Sequence, residues 1–270
     1  ALGVGHVSVA VIRLIIGVGL VLLGVGVFGA FAGLLAANLV VFVVGFVVLV
    51  RWAGISFRSI RRRTSRGVVR YTLWSTVVAF CYNVPTNVDV IIVTRLTTQV
   101  DAGLYTATSV FGKMLLFLPL GISQALFPKI STAGRVTTEK LTNLKKALAY
   151  TAVVVAGALA VSSLIPSLLF ELLFGSAYVG AEVFLPTYSL AIGLFSLSFV
   201  ILSYKLAVEK LSFVCVFAGV TVAEIVAMTT LASSPMEVVR IMLGCHLVTL
   251  SIGVATLLYT HSTWLSDPPP

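Results

Sequence analysis

Long uninterrupted runs of apolar residues recur along the chain, separated by short polar or basic segments. An α-helix of about 20 apolar residues spans the hydrocarbon core of a bilayer, which is about 30 Å thick. The short alternating segments of a transmembrane barrel do not occur. The pattern therefore predicts an all-α, polytopic membrane protein with about eight transmembrane helices. The predicted spans are 7–27, 30–50, 70–94, 103–128, 147–173, 180–205, 211–232 and 237–259.

Composition agrees with this assignment. The chain of 270 residues is 59% hydrophobic and only 10% charged, and its mean hydropathy is +1.11. A soluble domain carries about 25% charged residues. A chain this apolar has too few polar residues to form a water-exposed surface. The composition therefore predicts a protein embedded in the lipid bilayer.

The basic residues are distributed unevenly between the two sides of the predicted membrane protein. Three loops, at 51–70, 129–146 and 205–210, hold seven, five and two basic residues and lie on one side by the order of the spans. The loops of the opposite side contain Arg95 and Arg240. Because basic loops stay in the cytoplasm, we predict cytoplasmic chain ends and an inner or plasma membrane location. The positive charge thus has a topological role, which argues against nucleic-acid binding.

Polar side chains form two stripes within the predicted spans. At 100° per residue, several polar positions of each span fall on one helical face. The stripes either hydrogen-bond to each other or line a water-filled cavity. They consist of Thr72, Thr76, Asn83, Asn87 and Thr94 on one span, and Thr106, Ser109, Lys113 and Gln124 on the next.

Two charged residues, Lys113 and Glu224, lie near the middle of their predicted spans. A lysine at the bilayer centre costs about 2.5–3.5 kcal/mol on the insertion scale, so it normally has a partner or faces water. One interpretation is a structural Lys113–Glu224 pair, and the other is a cationic site for an anionic ligand. No catalytic triad, metal-ligand spacing or phosphate loop occurs. We therefore predict no enzyme activity, cofactor or metal.

Short motifs join these features to a known family. They are Asp89; Asp101-Ala102-Gly103 with Tyr105; Leu126-Phe127-Pro128 with Ile130-Ser131; and Phe174-Gly175 with Tyr178 and Ala181. Their order and spacing resemble polysaccharide-type flippases of the multidrug/oligosaccharidyl-lipid/polysaccharide exporter superfamily. Asp89 matches a position of that family. We expect it to act locally, either by capping or by pairing with Arg95 or with the hinge between the two polar spans, residues 95–105.

The resemblance implies a domain organisation. Residues 1–50 would be the last two helices of an N-terminal lobe, 51–69 a basic cytoplasmic linker, 70–260 a six-helix C-terminal lobe and 261–270 a cytoplasmic tail. The complete protein implied by the resemblance has twelve helices. About four further helices would then complete the N-terminal lobe. The glycines of 1–50 would permit close helix packing or lobe motion.

The resemblance also implies a function. We expect a flippase that moves lipid-linked oligosaccharide or polysaccharide precursors by alternating access of two lobes. Its partners would be a polyprenyl-diphosphate-linked glycan or similar anionic lipid, the membrane lipids and the missing N-terminal lobe. The alternatives are a cation-coupled multidrug exporter of the same superfamily and a membrane glycosyltransferase or polymerase, although the short outer loops disfavour an enzyme. The candidate substrate-binding residues are Lys113, Asn83, Asn87, Thr76, Ser109, Thr106, Gln124 and Glu224.

Overall fold

The computed structural model describes residues 11–12, 14–53, 66–117, 119–123, 125, 138–208 and 211–266. These residues form helices and no strand, which confirms the all-α prediction. The helices are α1 (Leu14–Gly24), α2 (Val27–Ala53), α3 (Arg66–Asn83), α4 (Pro85–Leu96), α5 (Gln99–Met114), α6 (Thr138–Leu164), α7 (Pro166–Phe174), α8 (Leu185–Ala207), α9 (Ser212–Leu231) and α10 (Pro235–Ser266). A 3₁₀ segment, Ser176–Val183, connects α7 to α8.

Six stretches of the described chain are long and apolar enough to cross a membrane, and the bent pair α3 and α4 makes a seventh. The six are Phe28–Val48, Gln99–Ser123, Glu139–Leu164, Leu185–Ala207, Ser212–Leu231 and Pro235–Tyr259. They confirm a polytopic helical membrane protein. Of the first predicted span, 7–27, the structure describes a shorter apolar helix, Leu14–Gly24.

The chain divides into two compact units, Ala1–Val69 and Arg70–Pro270. In the first unit, Gly24 at the end of α1 and Gly26 in the turn to α2 adopt positive φ angles of 84° and 61°, which side-chain-bearing residues rarely tolerate. Beyond this turn the two helices pack closely. A Cβ atom at Gly33 would lie 2.5 Å from the Cα atom of Gly17. At these positions glycine serves helix packing.

The second unit is built around α8. This helix packs against α5, α6, α9 and α10, and 67% of its most apolar window is buried. Its side chains Tyr188, Ile192, Phe195 and Ile201 are at most 1% exposed. Because α8 is central, it contacts buried polar groups on the helices around it.

Two of the predicted spans are interrupted. The span predicted at 70–94 bends by 42° between α3 and α4, where Pro85 has no N–H to donate to the preceding turn. The span predicted at 147–173 is divided into α6 and α7. Ile165 leaves the helical region with φ −136° and ψ 45°, and Pro166 then starts α7.

Helix boundaries also differ from the prediction at two other places. Helix α6 begins at Thr138, so the final part of the predicted loop 129–146 is helical. Helix α10 continues to Ser266, seven residues beyond the predicted end at 259. The linker residues 54–65 lie outside the described part of the chain.

Candidate functional site

A buried carboxylate on α4 forms the first polar centre of the second unit. Asp89 is 0% exposed. Its Oδ2 accepts hydrogen bonds from the Tyr188 hydroxyl at 2.9 Å, the Tyr105 hydroxyl at 3.2 Å and the Ser109 hydroxyl at 3.3 Å. Its Oδ1 has no hydrogen-bond partner among the described residues. The carboxylate is thus held at one oxygen by hydroxyls from two other helices.

The turn between α4 and α5 positions two of these groups. The Thr98 Oγ1 accepts a bond from the Asp101 N–H at 3.3 Å and donates one to the Asp101 carboxylate at 2.8 Å. This cap begins α5 and fixes the direction in which it returns along α4. As a result Tyr105, near the start of α5, meets Asp89 on α4. The motif residues Asp89, Asp101 and Tyr105 therefore act together in one local structure.

A second polar centre joins α8, α9 and α10. Glu224 is 2% and His246 is 3% exposed. The Glu224 Oε1 lies 3.3 Å from the His246 Nε2, without the geometry of a hydrogen bond. The His246 Nδ1 lies 2.9 Å from the Ala191 carbonyl oxygen, and the Phe195 ring packs against the imidazole at 5.0 Å between centroids.

Lys113 lies in the last turn of α5, near the middle of the span Gln99–Ser123. Its side chain is half-buried, and it lies within electrostatic range of Asp89. The carbonyl ends of helices carry partial negative charge, which favours a cation in the last turn. The helix pattern tightens here, because the N–H of Leu116 donates to the Lys113 carbonyl at 3.0 Å. Lys113 therefore lies at mid-depth, at the end of α5 and within electrostatic range of the buried Asp89 carboxylate.

Four residues of the predicted polar stripe on α3 and α4 lie on the surface of the second unit. Thr76, Asn83, Asn87 and Thr94 are all exposed. Each donates to the carbonyl four residues earlier, at 2.7 to 2.9 Å. A single such bond leaves an amide or hydroxyl with further hydrogen-bonding capacity. These side chains thus bond to their own helix and keep hydrogen-bonding capacity for a ligand or water.

The structure separates some of the predicted site residues. Ser109 is buried against Asp89 and Tyr188, so it does not share the exposed face of Asn83 and Asn87. Thr106 is half-buried and bonds within its own helix. Gln124 lies outside the described residues.

One interpretation of the charged residues was wrong, and another is confirmed in part. Glu224 contacts His246, so the alternative of a Lys113–Glu224 pair is not what the structure contains. Of the partners expected for Asp89, the hinge is confirmed through the Tyr105 hydroxyl. Asp89 forms no ion pair with Arg95 among the described residues, and it also bonds to Tyr188 on α8. The sequence interpretation missed His246, although its position in the middle of an apolar span is the signal that marks an intramembrane ionisable residue.

The motif Phe174-Gly175 with Tyr178 and Ala181 forms the turn between α7 and α8. Gly175 has φ +91° and ends α7, with its N–H bonded to the Phe170 and Glu171 carbonyls at 3.1 Å. The Ala181 carbonyl accepts a bond from the Thr108 hydroxyl at 3.0 Å. This turn therefore attaches the start of α8 to α5, the helix that carries Ser109 and Lys113.

Helices of this length, together with a small set of buried polar groups, define a multi-pass helical membrane protein. Residues 4–133, just under half of the chain, match the family described as polysaccharide biosynthesis protein. This match confirms the resemblance to the polysaccharide exporter superfamily and supports a polysaccharide biosynthesis membrane protein. Comparison with curated proteins and with solved structures gave no match.

Proposed function

We propose that this protein is a flippase for lipid-linked oligosaccharide or polysaccharide precursors rather than an enzyme. The family match supports a place in polysaccharide biosynthesis. The observation that carries the transport assignment is a lysine at mid-depth in a membrane span, Lys113, in a unit whose helices α3 and α4 also expose hydroxyls and amides. The substrate would be a polyprenyl-diphosphate-linked glycan or a similar anionic lipid.

Each part of such a substrate has a chemical counterpart. A diphosphate needs a cation, and Lys113 offers a compact ammonium with three donors. The sugar hydroxyls need uncharged donors and acceptors, which Thr76, Asn83, Asn87 and Thr94 supply. The lipid tail can stay in the bilayer while the polar head group passes along this path. Ser109 and Glu224 are buried and bonded elsewhere, so we leave them out of the proposed substrate path.

We propose that transport proceeds by alternating access of two lobes in the inner or plasma membrane. The basic loops support cytoplasmic ends for this chain. The 42° bend between α3 and α4 supports the mechanism, because interrupted helices in membrane transporters often line binding sites and change shape.

The test of this function is glycan export by cells that depend on the protein. Lys113→Ala removes charge-assisted hydrogen bonds worth about 1.5–3 kcal/mol, so export should fall about tenfold to a hundredfold while membrane abundance stays near wild type. Lys113→Arg keeps the charge and should retain part of the export. Lys145→Ala, at an exposed lysine on α6, is the matched control and should export normally. Normal export by Lys113→Ala would refute the role of Lys113.

The buried acids Asp89 and Glu224 favour one second candidate, a cation-coupled drug exporter of the same superfamily. Such a protein would protect cells from cationic dyes without changing their glycans. Unchanged dye sensitivity together with a glycan defect in cells lacking the protein would exclude it.

A further inference from the structure

The pair formed by Glu224 and His246 has an unusual arrangement for two ionisable groups in a membrane bundle. Both side chains are at least nine-tenths buried, and they lie in the candidate spans Ser212–Leu231 and Pro235–Tyr259. The Glu224 Oε1 and the His246 Nε2 face each other at 3.3 Å, and neither atom has another hydrogen-bond partner among the described residues.

The second ring nitrogen determines the histidine tautomer. The His246 Nδ1 lies 2.9 Å from the Ala191 carbonyl oxygen. A carbonyl oxygen only accepts hydrogen bonds, so Nδ1 must carry a hydrogen atom. The Nε2 atom of a neutral ring then points a lone pair at Oε1. Two acceptors at this distance repel each other unless a hydrogen atom lies between them.

Charge balance indicates how many protons the pair holds. With one proton between Oε1 and Nε2, the pair is neutral overall, either as acid and imidazole or as carboxylate and imidazolium. Without that proton a buried anion is left, and with a second proton a buried cation is left. Each of these is costly in an apolar interior. One proton on the pair is thus the count that leaves no net charge in the apolar interior.

We propose that the Glu224–His246 pair is a proton-binding site that exchanges one proton with water. On uptake, the proton forms a bond to Oε1 or Nε2. On release, the proton passes to water and leaves a Glu224 carboxylate beside a neutral His246. A structural role for the pair explains less, because a buried ion pair is no more stabilising than well-packed apolar residues.

The surroundings of the pair contain few other titratable groups among the described residues. Tyr105 on α5, Tyr188 on α8 and Cys245 on α10 lie within electrostatic range of Glu224. Both tyrosine hydroxyls bond to Asp89 on α4. A change of charge at Glu224 is thus felt at the Asp89 centre, whose partners lie on α5 and α8. Proton binding can in this way influence the packing of the helices that carry the two polar centres.

A nitrogen NMR titration of the purified chain in lipid nanodiscs tests the proposal, with histidine labelled and the His246 signal assigned from His246→Gln. The wild type should keep the proton on Nδ1 throughout and change the protonation of Nε2 in one step. In Glu224→Gln the amide donates to Nε2 and no carboxylate balances an imidazolium, so this step should be lost. Glu171→Gln, at an exposed acid on α7, is the control and should keep the step.

The wild-type titration alone can overturn the proposal, even if the Glu224→Gln variant fails to fold. A His246 Nε2 signal that does not change wherever the protein stays folded would exclude an exchangeable proton. An Nε2 step that persists in a folded Glu224→Gln variant would exclude sharing with Glu224.

Coupling of this proton to export rests on the proposed function and needs a separate measurement. In membrane vesicles, an imposed pH gradient should change the glycan export rate of the wild type but not of Glu224→Gln. An equal response in both proteins would refute the coupling. A vesicle preparation that shows the Nε2 step but no glycan export would refute the proposed function and leave the proton site standing.

Discussion

At the scale of single residues, hydroxyl groups stabilise the buried carboxylate of Asp89. Three hydroxyls converge on one oxygen, two of them from tyrosines with 0% exposure. Each net hydrogen bond to a charged group contributes about 1.5–3 kcal/mol, and leaving a buried acceptor unpaired is costly. The network therefore holds α4, α5 and α8 together through polar bonds within an apolar bundle.

Tyr188→Phe tests this network. The change removes the hydroxyl that lies 2.9 Å from Asp89 and 2.8 Å from Ser109 and keeps the ring. We expect the free energy of unfolding in detergent micelles to fall by about 1–3 kcal/mol. Tyr150→Phe, at an exposed tyrosine of α6, should leave it unchanged. Equal losses in the two variants would show that the hydroxyl network contributes nothing specific.

The sequence could predict the depth of the polar residues but not all of their partners. Lys113 and Glu224 were placed near the span centres from residue counting alone, and the structure keeps them there. Helical phase put Ser109 and Lys113 on one stripe, yet it does not say which neighbouring helix that stripe meets. Tyr188, which bonds to Ser109, lies 79 residues away, and only the tertiary fold brings the two together.

At the scale of helices, the contact between α5 and α8 depends on a missing side chain. A Cβ atom at Gly112 would lie 2.3 Å from the Tyr188 ring, closer than any real contact. Small residues permit such an approach between membrane helices, where burial of apolar surface gives little drive for association. The close approach also allows Tyr188 to reach Ser109 and Asp89.

Gly112→Ala should therefore separate α5 from α8. Overpacking of this kind costs about 1–3 kcal/mol, which should appear as a lower free energy of unfolding. At Gly219 in α9 an added Cβ has no neighbour within 4 Å, and alanine is favoured in helices by about 0.5–1 kcal/mol. Gly219→Ala should thus be neutral or stabilising. A Gly112→Ala variant as stable as the wild type would contradict the packing account.

Helix breaks were harder to predict than helices. Pro85 marks the bend between α3 and α4, but prolines within membrane helices are often tolerated without a full break. The run 147–173 is almost continuously apolar, so hydropathy alone could not separate α6 from α7. Pro166 is the sequence signal for this break, and the backbone angles of Ile165 show where the helix departs.

At the scale of the whole molecule, the charge asymmetry of the loops predicts the orientation in the membrane. Lys145 on α6 and Ala177 in the 3₁₀ segment are both exposed, at opposite ends of the predicted passage through the bilayer. A cysteine at Lys145 should react with a membrane-impermeant reagent only from the cytoplasm, and one at Ala177 only from outside. The native Cys81, Cys215 and Cys245 should first be replaced. Labelling of position 145 from outside would invert the orientation.

The central claim is that this protein moves a finished lipid-linked glycan and does not build it. The most direct measurement is the amount and sidedness of the lipid-linked precursor in cells depleted of the protein. We predict that the complete precursor accumulates on the cytoplasmic leaflet while the exported glycan disappears. A glycosyltransferase or polymerase would instead leave a shorter or absent precursor. Loss of the precursor, or its normal appearance on the outer leaflet, would contradict the account.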